Sequence, residues 1–193
     1  MNNNLQKAIL AAMIATAPLA ASEYSFDSHS LFAIEGGVSN LSGDVSTGAT
    51  SNNVQEKKFG HVGLKLGAET EDFRAFIDGR YYFADEFSTL STAGASLQYK
   101  FNFTEPVNYF IGANAGMAHM KIKADGINPS ASTTTSYIGA DTGFNFHAAQ
   151  NIDLELGLRY IHLNDELTQA NTTYTFNSIT SAYASVIFRF KMK

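Results

Sequence analysis

The stretch Ile152-Asp153-Leu154-Glu155-Leu156-Gly157-Leu158-Arg159-Tyr160-Ile161 decides the fold. Within it Ile152, Leu154, Leu156, Leu158 and Tyr160 alternate with Asp153, Glu155, Gly157 and Arg159. A period of two assigns the two sets to opposite faces of a β-strand, because successive Cβ atoms point to opposite sides. One face is apolar and the other charged, so the two faces meet different surroundings.

Working outward, the pattern recurs in seven further segments, each closed by turn-forming residues. Leu31 to Ser39 sets Phe32, Ile34 and Val38 against Glu35, and Phe59 to Glu69 sets Val62, Leu64, Leu66 and Ala68 against His61, Lys65 and Glu69. Phe73 to Phe83 alternates Phe73, Ala75, Ile77, Tyr81 and Phe83 with Arg74, Asp78 and Arg80. Leu90 to Phe103 opposes Ala93, Ala95, Leu97, Tyr99, Phe101 and Phe103 to Thr92, Ser96, Gln98, Lys100 and Asn102. Tyr109 to Met120 is weaker, with Ile111, Ala113, Ala115 and Met117 against Gly112, Asn114 and Gly116. Tyr137 to His147 places Ile138, Ala140, Phe144 and Phe146 against Asp141 and Asn145. Thr180 to Phe190 closes the series, with Ala182, Ala184, Val186, Phe188 and Phe190 against Tyr183, Ser185 and Arg189.

The connections alternate as well. Thr70 to Asp72, Thr104 to Asn108 and Ala148 to Asn151 are short, whereas Asn40 to Lys58, Lys121 to Ser136 and His162 to Ile179 are long and rich in Ser, Thr, Asn and Gly. Ala84 to Thr89 is intermediate. Eight strands with short turns at one end and long loops at the other predict an up-and-down antiparallel barrel.

Composition limits the alternatives. Of 193 residues, 16% are charged, below the roughly 25% of an ordinary soluble domain, yet the mean hydropathy of −0.11 is that of a water-soluble chain. Alternating membrane strands reconcile the two values, since their apolar and polar faces average out. A net charge of −5 without a basic block argues against nucleic acid as a partner. The absence of cysteine rules out disulfides, zinc-thiolate sites and a thiol nucleophile.

Residues Met1 to Ser22 carry Lys7, an uncharged run and then small residues around Pro18 and Ala20-Ala21-Ser22. This pattern predicts a Sec signal peptide over residues 1–21, leaving 22–193 as one mature barrel domain of a bacterial envelope protein. Beyond it no run is long and apolar enough for a membrane-spanning helix.

Three features favour a membrane barrel over a soluble one. Glu35, Lys65, Glu69, Arg74, Asp78, Arg80, Lys100, Asp141, Asp153, Glu155, Arg159 and Arg189, six acidic and six basic, all fall on the non-apolar face, as a closed lumen that must pair its charges requires. Aromatic residues gather at the segment ends: Phe73, Tyr99, Phe101, Phe103, Tyr109, Phe144, Phe146, Phe188 and Phe190 near the short turns, and Phe59, Tyr81, Phe83 and Tyr160 near the other end. Two aromatic belts fit the two interfaces of a bilayer. The chain also finishes in an alternating strand whose Tyr183, Phe188 and Phe190 resemble the C-terminal insertion signal of bacterial outer-membrane proteins. It departs from that signal at Ser185, where glycine is usual, and in Lys191-Met192-Lys193 after the last aromatic.

Over nearly its whole mature length the chain therefore resembles the small eight-stranded outer-membrane barrels of the OmpA barrel-domain, OmpX and opacity-protein type. The resemblance implies an integral protein of a Gram-negative outer membrane, in contact with lipid and lipopolysaccharide and inserted by the barrel-assembly machinery. It implies a structural or surface-interaction role through extracellular loops, with host or cell-surface ligands as partners. Alternatives are a small porin or an OmpW-like carrier of hydrophobic molecules.

No segment carries recognisable catalytic or cofactor chemistry. His29, His61, His119, His147 and His162 lack metal-binding spacing, and there is no P-loop, GxGxxG or GxSxG. Tyr160-Ile161-His162-Leu163-Asn164 is similar to the His-x-Ser-Asn region of lipid A deacylases, but Asn164 stands where the serine nucleophile belongs, and an amide cannot replace it. Asp165 and Glu166 would supply only an orienting acid. Gly63 and Gly67 flank Lys65 on its face and are expected to make room for a long side chain. The expectation is of a chain without catalytic residues, cofactor or metal.

Overall fold

A computed structural model describes residues 29–47, 50–84, 87–104, 106–122, 132–169 and 172–191. They form eight strands: β1 (His29–Thr47), β2 (Thr50–Glu69), β3 (Phe73–Tyr82), β4 (Phe87–Thr104), β5 (Val107–Ile122), β6 (Ser132–Ala149), β7 (Ile152–Gln169) and β8 (Thr172–Lys191). Each pairs antiparallel with its chain neighbours, and β1 pairs with β8 to close the barrel. The residues expected to form a signal peptide, 1–21, lie outside the described residues.

The register fixes how much the barrel leans. From Glu35 the pairing runs through Gly63 and Arg80 to Thr92 in one direction, and through Ser185, Glu155, Asn145 and Asn108 to Asn102 in the other. One circuit thus returns to β4 at residue 102 instead of 92, a shear of ten residues. Eight strands so inclined enclose a space that side chains can fill.

Alternation along each strand sorts residues between lumen and outer wall. In β3, Arg74, Phe76, Asp78, Arg80 and Tyr82 are buried while Phe73, Ile77 and Tyr81 are exposed. The outer wall of the other strands presents Ile34, Val38, Leu64, Leu66, Leu97, Ile111, Ile138, Leu154, Leu156 and Leu158. Surface so uniformly apolar needs a non-aqueous neighbour. Near the short turns Phe73, Tyr99, Phe101, Tyr109 and Phe144 form a continuous girdle across β3 to β6, with successive ring centroids 5.1, 4.8, 5.9 and 5.4 Å apart. Phe32 and Phe188 stack at 6.1 Å on the opposite side. Tyr81 and Phe83, 5.4 Å apart, mark the other rim.

Two expectations are corrected. Phe59, expected in the outer belt, is buried inside and packs edge-on against Tyr82 at 5.9 Å. It shares its parity with His61 and Lys65, and the pleat sends all three to the lumen. The long connections are also shorter than expected, because the ladder continues through much of them. β1 and β2 pair as far as Thr47↔Thr50, β7 and β8 as far as Gln169↔Thr172, and β5 and β6 as far as Lys121↔Ser132. A hydrogen-bonded ladder needs only backbone groups, and its Thr residues favour extended chain. The β2–β3 ladder, in contrast, ends at His61↔Tyr82. Beyond that level β2, β1, β8 and β7 project as a four-stranded sheet.

Candidate functional site: the filled lumen and the projecting hairpins

Inside the barrel, ion pairs link strands that are not neighbours. Glu35 on β1 is the main node. Its Oε1 accepts from Arg159 Nη1 at 2.7 Å, Arg80 Nε at 3.0 Å and lies 3.2 Å from His61 Nε2, while Oε2 meets Lys65 Nζ at 2.7 Å and Arg159 Nη2 at 3.1 Å. Lys65 also donates to Glu155 Oε1 at 2.9 Å, and Arg74 Nη2 to Glu155 Oε2 at 2.9 Å. Arg80 Nη1 closes onto Asp78.

A second cluster lies toward the short turns. Glu69 accepts from Lys100 at 3.2 Å and from Arg189 Nε at 2.7 Å, and Arg189 Nη1 approaches Asp153 at 3.7 Å. Asp153 holds His147 Nδ1 at 2.7 Å. Asn145 joins the clusters, accepting from Arg74 at 3.3 Å and donating to Asp153 at 3.2 Å. Eleven of the twelve charged side chains named from the sequence are buried in the lumen; Arg189, at the mouth, is half-buried. Asp141 meets no cation at ion-pair distance among the described residues; the amides of Gln98 and Asn114 hold it instead.

The lumen also holds aromatic and aliphatic groups, of which the alternation on β8 singles out Tyr183 alone. Phe76 and Phe110 flank Arg74, with centroids 5.8 and 5.2 Å from its guanidinium carbon. The ring of Tyr183 lies 4.3 Å from the guanidinium carbon of Arg159 and 4.6 Å from Lys65 Nζ. Toward the hairpin end, Phe59, Tyr82, Leu90, Met120, Tyr137, Ile161, Leu163, Phe176 and Ile179 pack as one apolar cluster. A smaller cluster of Leu31, Ala33, Phe76 and Ile187 lies on the β1, β3 and β8 walls. The missed signal was parity: Phe76, Tyr137 and Ile161 occupy the same strand faces as charges, and Phe110 the face of Asn108 and Asn114, whereas Tyr183 was expected on the polar face and lies there.

Glycines admit the bulky groups. Tyr183 lies so close over Gly157 that a methyl there would strike its ring. A Cβ on Gly63 would meet Arg80 Cγ at 3.0 Å, and one on Gly67 the Phe76 ring at 2.6 Å, so the room they leave is used by Arg80 and Phe76. Of the C-terminal aromatics, Tyr183 is buried in the lumen, Phe188 packs on Phe32 and Phe190 is exposed on the outer wall.

Of the histidines, His61 also bonds Ser39 at 2.8 Å, His119 bonds Thr134 at 2.9 Å, and His162 is exposed. The side chains of Asn164, Asp165 and Glu166 in the deacylase-like stretch lie outside the described residues.

The chain forms a closed eight-stranded barrel with an apolar outer wall, aromatic girdles and a charged, filled interior, and residues 8–190 match the family described as outer membrane protein beta-barrel domain. The chain belongs to that family. It is therefore an integral outer-membrane protein, and its strands are transmembrane. Solved structures share the architecture. Neisserial surface protein A superposes with a TM-score of 0.59 at 22% identity, covering 82% of this chain and 97% of its own. The N-terminal barrel domain of Pseudomonas aeruginosa OprF gives 0.54 at 14% identity, over 86% and 98%. P. aeruginosa OprH gives 0.53 at 18%, over 84% and 99%. Curated protein sequences yield no match.

Proposed function

We propose that the protein is a non-enzymatic surface protein whose barrel is a scaffold and whose β1–β2, β5–β6 and β7–β8 hairpins meet ligands outside the cell. The observation that carries this reading is the continuation of paired strands past the aromatic rim, to Thr47↔Thr50 and Gln169↔Thr172. Recognition concentrates in variable segments held by a rigid frame. The short turns then face the periplasm, as in the general plan of such barrels. Outer-membrane lipid and lipopolysaccharide are the partners of the apolar wall, and host or other cell surfaces those of the hairpins. The barrel-assembly machinery reads the terminal strand through Phe188 and Phe190, with Tyr183 filling the lumen behind them. Residues 1–21 serve as the export signal.

An epitope inserted between Thr47 and Thr50 tests the orientation, since it must be labelled on intact cells. Cells expressing a variant with the upper β1–β2 hairpin trimmed to a tight turn are then compared for adherence to epithelial monolayers. Loss of adherence with unchanged barrel assembly supports the role; an unlabelled tag or unchanged adherence overturns it. Planar-bilayer recording addresses the channel alternative: ion pairs and apolar clusters that fill the lumen predict no discrete conductance steps.

A further inference from the structure

The two ends of the lumen differ in chemistry. At the short-turn end the inward side chains are charged, and those of His147 and Arg189 remain 27% and 21% exposed. At the hairpin end they are apolar, and no member of the buried cluster there exceeds 8% exposure.

All eight strands contribute to that apolar layer. Leu41 on β1 faces Ile179 on β8, which faces Ile161 on β7, and Leu163 on β7 faces Tyr137 on β6. Leu90 on β4 pairs with Met120 on β5, and Phe59 on β2 meets Tyr82 on β3 edge-on. Glycines let Tyr137 reach across: a Cβ on Gly94 of β4 would strike its hydroxyl, and one on Gly116 of β5 would meet its Cζ at 2.8 Å. Met120 and Leu163 lie two residues beyond Ala118 and Ile161, which belong to the same cluster. The layer therefore extends about 7 Å along these strands.

Its level follows from β3, where Tyr82 sits between the rim residues Tyr81 and Phe83. The Glu35 node begins directly beneath, since the ring of His61, which contacts Glu35, lies 5.4 Å from that of Tyr82. An ion moving through the node would meet a carboxylate, ammonium or guanidinium at each step. In the apolar layer it would shed its water with no polar group in return, which makes transfer far more costly. Apolar constrictions hold pores shut in this way. We infer that the apolar layer at the hairpin end is the ion-permeability barrier of this barrel, and that the charged lumen beneath it conducts once that layer is opened. The inference rests on the closed lumen described above and is independent of what the hairpins bind.

Planar-bilayer recording of the full-length barrel in KCl tests it. Wild type should give a flat baseline. The double variant Leu90→Ser, Met120→Ser opens the layer at one cross-strand pair and should give discrete unitary current steps. Two controls should stay silent: Ile138→Ser, which changes the outer wall beside Tyr137, and Glu35→Gln, which alters only the charged node. Steps from wild type or from either control, or silence from the assembled double variant, overturn the inference. Should the double variant fail to reach the compact gel form, Leu163→Thr, a smaller polar change in the same layer, is read by the same criteria. Adherence of the hairpin-trimmed variant reports on the surface role alone, so the two readings fail separately.

Discussion

Replacing Glu35 with glutamine removes one negative charge from a position where Lys65, Arg80 and Arg159 converge at 2.7, 3.0 and 2.7 Å. All four side chains are buried. The wild-type carboxylate offsets much of the mutual repulsion of these cations; the amide leaves three positive charges sharing one interior with Glu155 and Asp78. Breaking a buried pair by removing one partner costs about 3–5 kcal/mol, and here one carboxylate serves three partners, so the upper part of that range applies. With a urea slope of about 2 kcal/mol per molar, the unfolding midpoint should fall by roughly 2 M. The assay is equilibrium unfolding in lipid vesicles, followed by the shift between compact and extended gel forms. The double variant Glu35→Gln, Arg159→Gln should recover part of the loss, because it removes the most fully bonded of the stranded cations. A single variant within about 1 kcal/mol of wild type would refute the reasoning, for it would mean that water already screens these charges.

The outer wall gives a prediction of opposite location. Leu156→Arg, at a position 54% exposed midway along the apolar face, should lose about 2–4 kcal/mol in the same assay, while Leu156→Met stays close to wild type. Tyr183→Phe and Tyr137→Phe should cost less than about 1 kcal/mol or stabilise the barrel, since neither hydroxyl has a hydrogen-bond partner among the described residues. A larger loss in unfolding free energy would show that those hydroxyls are bonded. Phe190→Ala should slow assembly in cells several-fold while leaving the stability of refolded barrel nearly unchanged; pulse-chase formation of the heat-modifiable form measures the rate.

Legibility in the sequence followed the sharpness of the face. Ile152 to Ile161 reads directly because its inward residues are Asp153, Glu155, Gly157 and Arg159, all unlike the leucines opposite. Hydropathy contrast failed as a guide wherever the lumen itself is apolar. Ile161, Leu163 and Ile179 continue the inward face of β7 and β8 at the parity of Arg159 and Tyr183, yet their hydropathy is that of membrane-facing residues, and Phe176 turns inward at the other parity only because the β7–β8 register shifts between His162 and Asp165. Phe59 likewise has the parity of His61 and Lys65, but an aromatic at a segment end reads as a belt residue. The hairpin extensions were hidden because Thr, Ser and Asn carry no hydropathy contrast, so a strand exposed to water on both faces leaves no period-two trace. The individual ion pairs were beyond reach as well, since which cation meets which carboxylate depends on a shear that appears only once the barrel closes.

That shear explains what the lumen does for the hairpins. Hydrogen-bond ladders join each strand to its neighbours and resist their separation, but a ring of such joints can still flatten like a hinged frame. The lumenal bonds run across the ring: Lys65 on β2 reaches Glu155 on β7, Arg74 on β3 reaches the same carboxylate, Arg159 on β7 reaches Glu35 on β1, and Lys100 on β4 reaches Glu69 on β2. Bonds between non-adjacent strands are diagonals, and diagonals fix a cross-section. They also explain why the node is built from guanidinium groups, whose planar donors can hold a carboxylate in two places at once. A barrel braced in this way fixes the spacing at which β1, β2, β7 and β8 leave the membrane, whatever residues those strands carry above it. Sequence change in the projecting sheet is thereby uncoupled from the stability of the wall, which is the physical condition a surface-recognition scaffold requires.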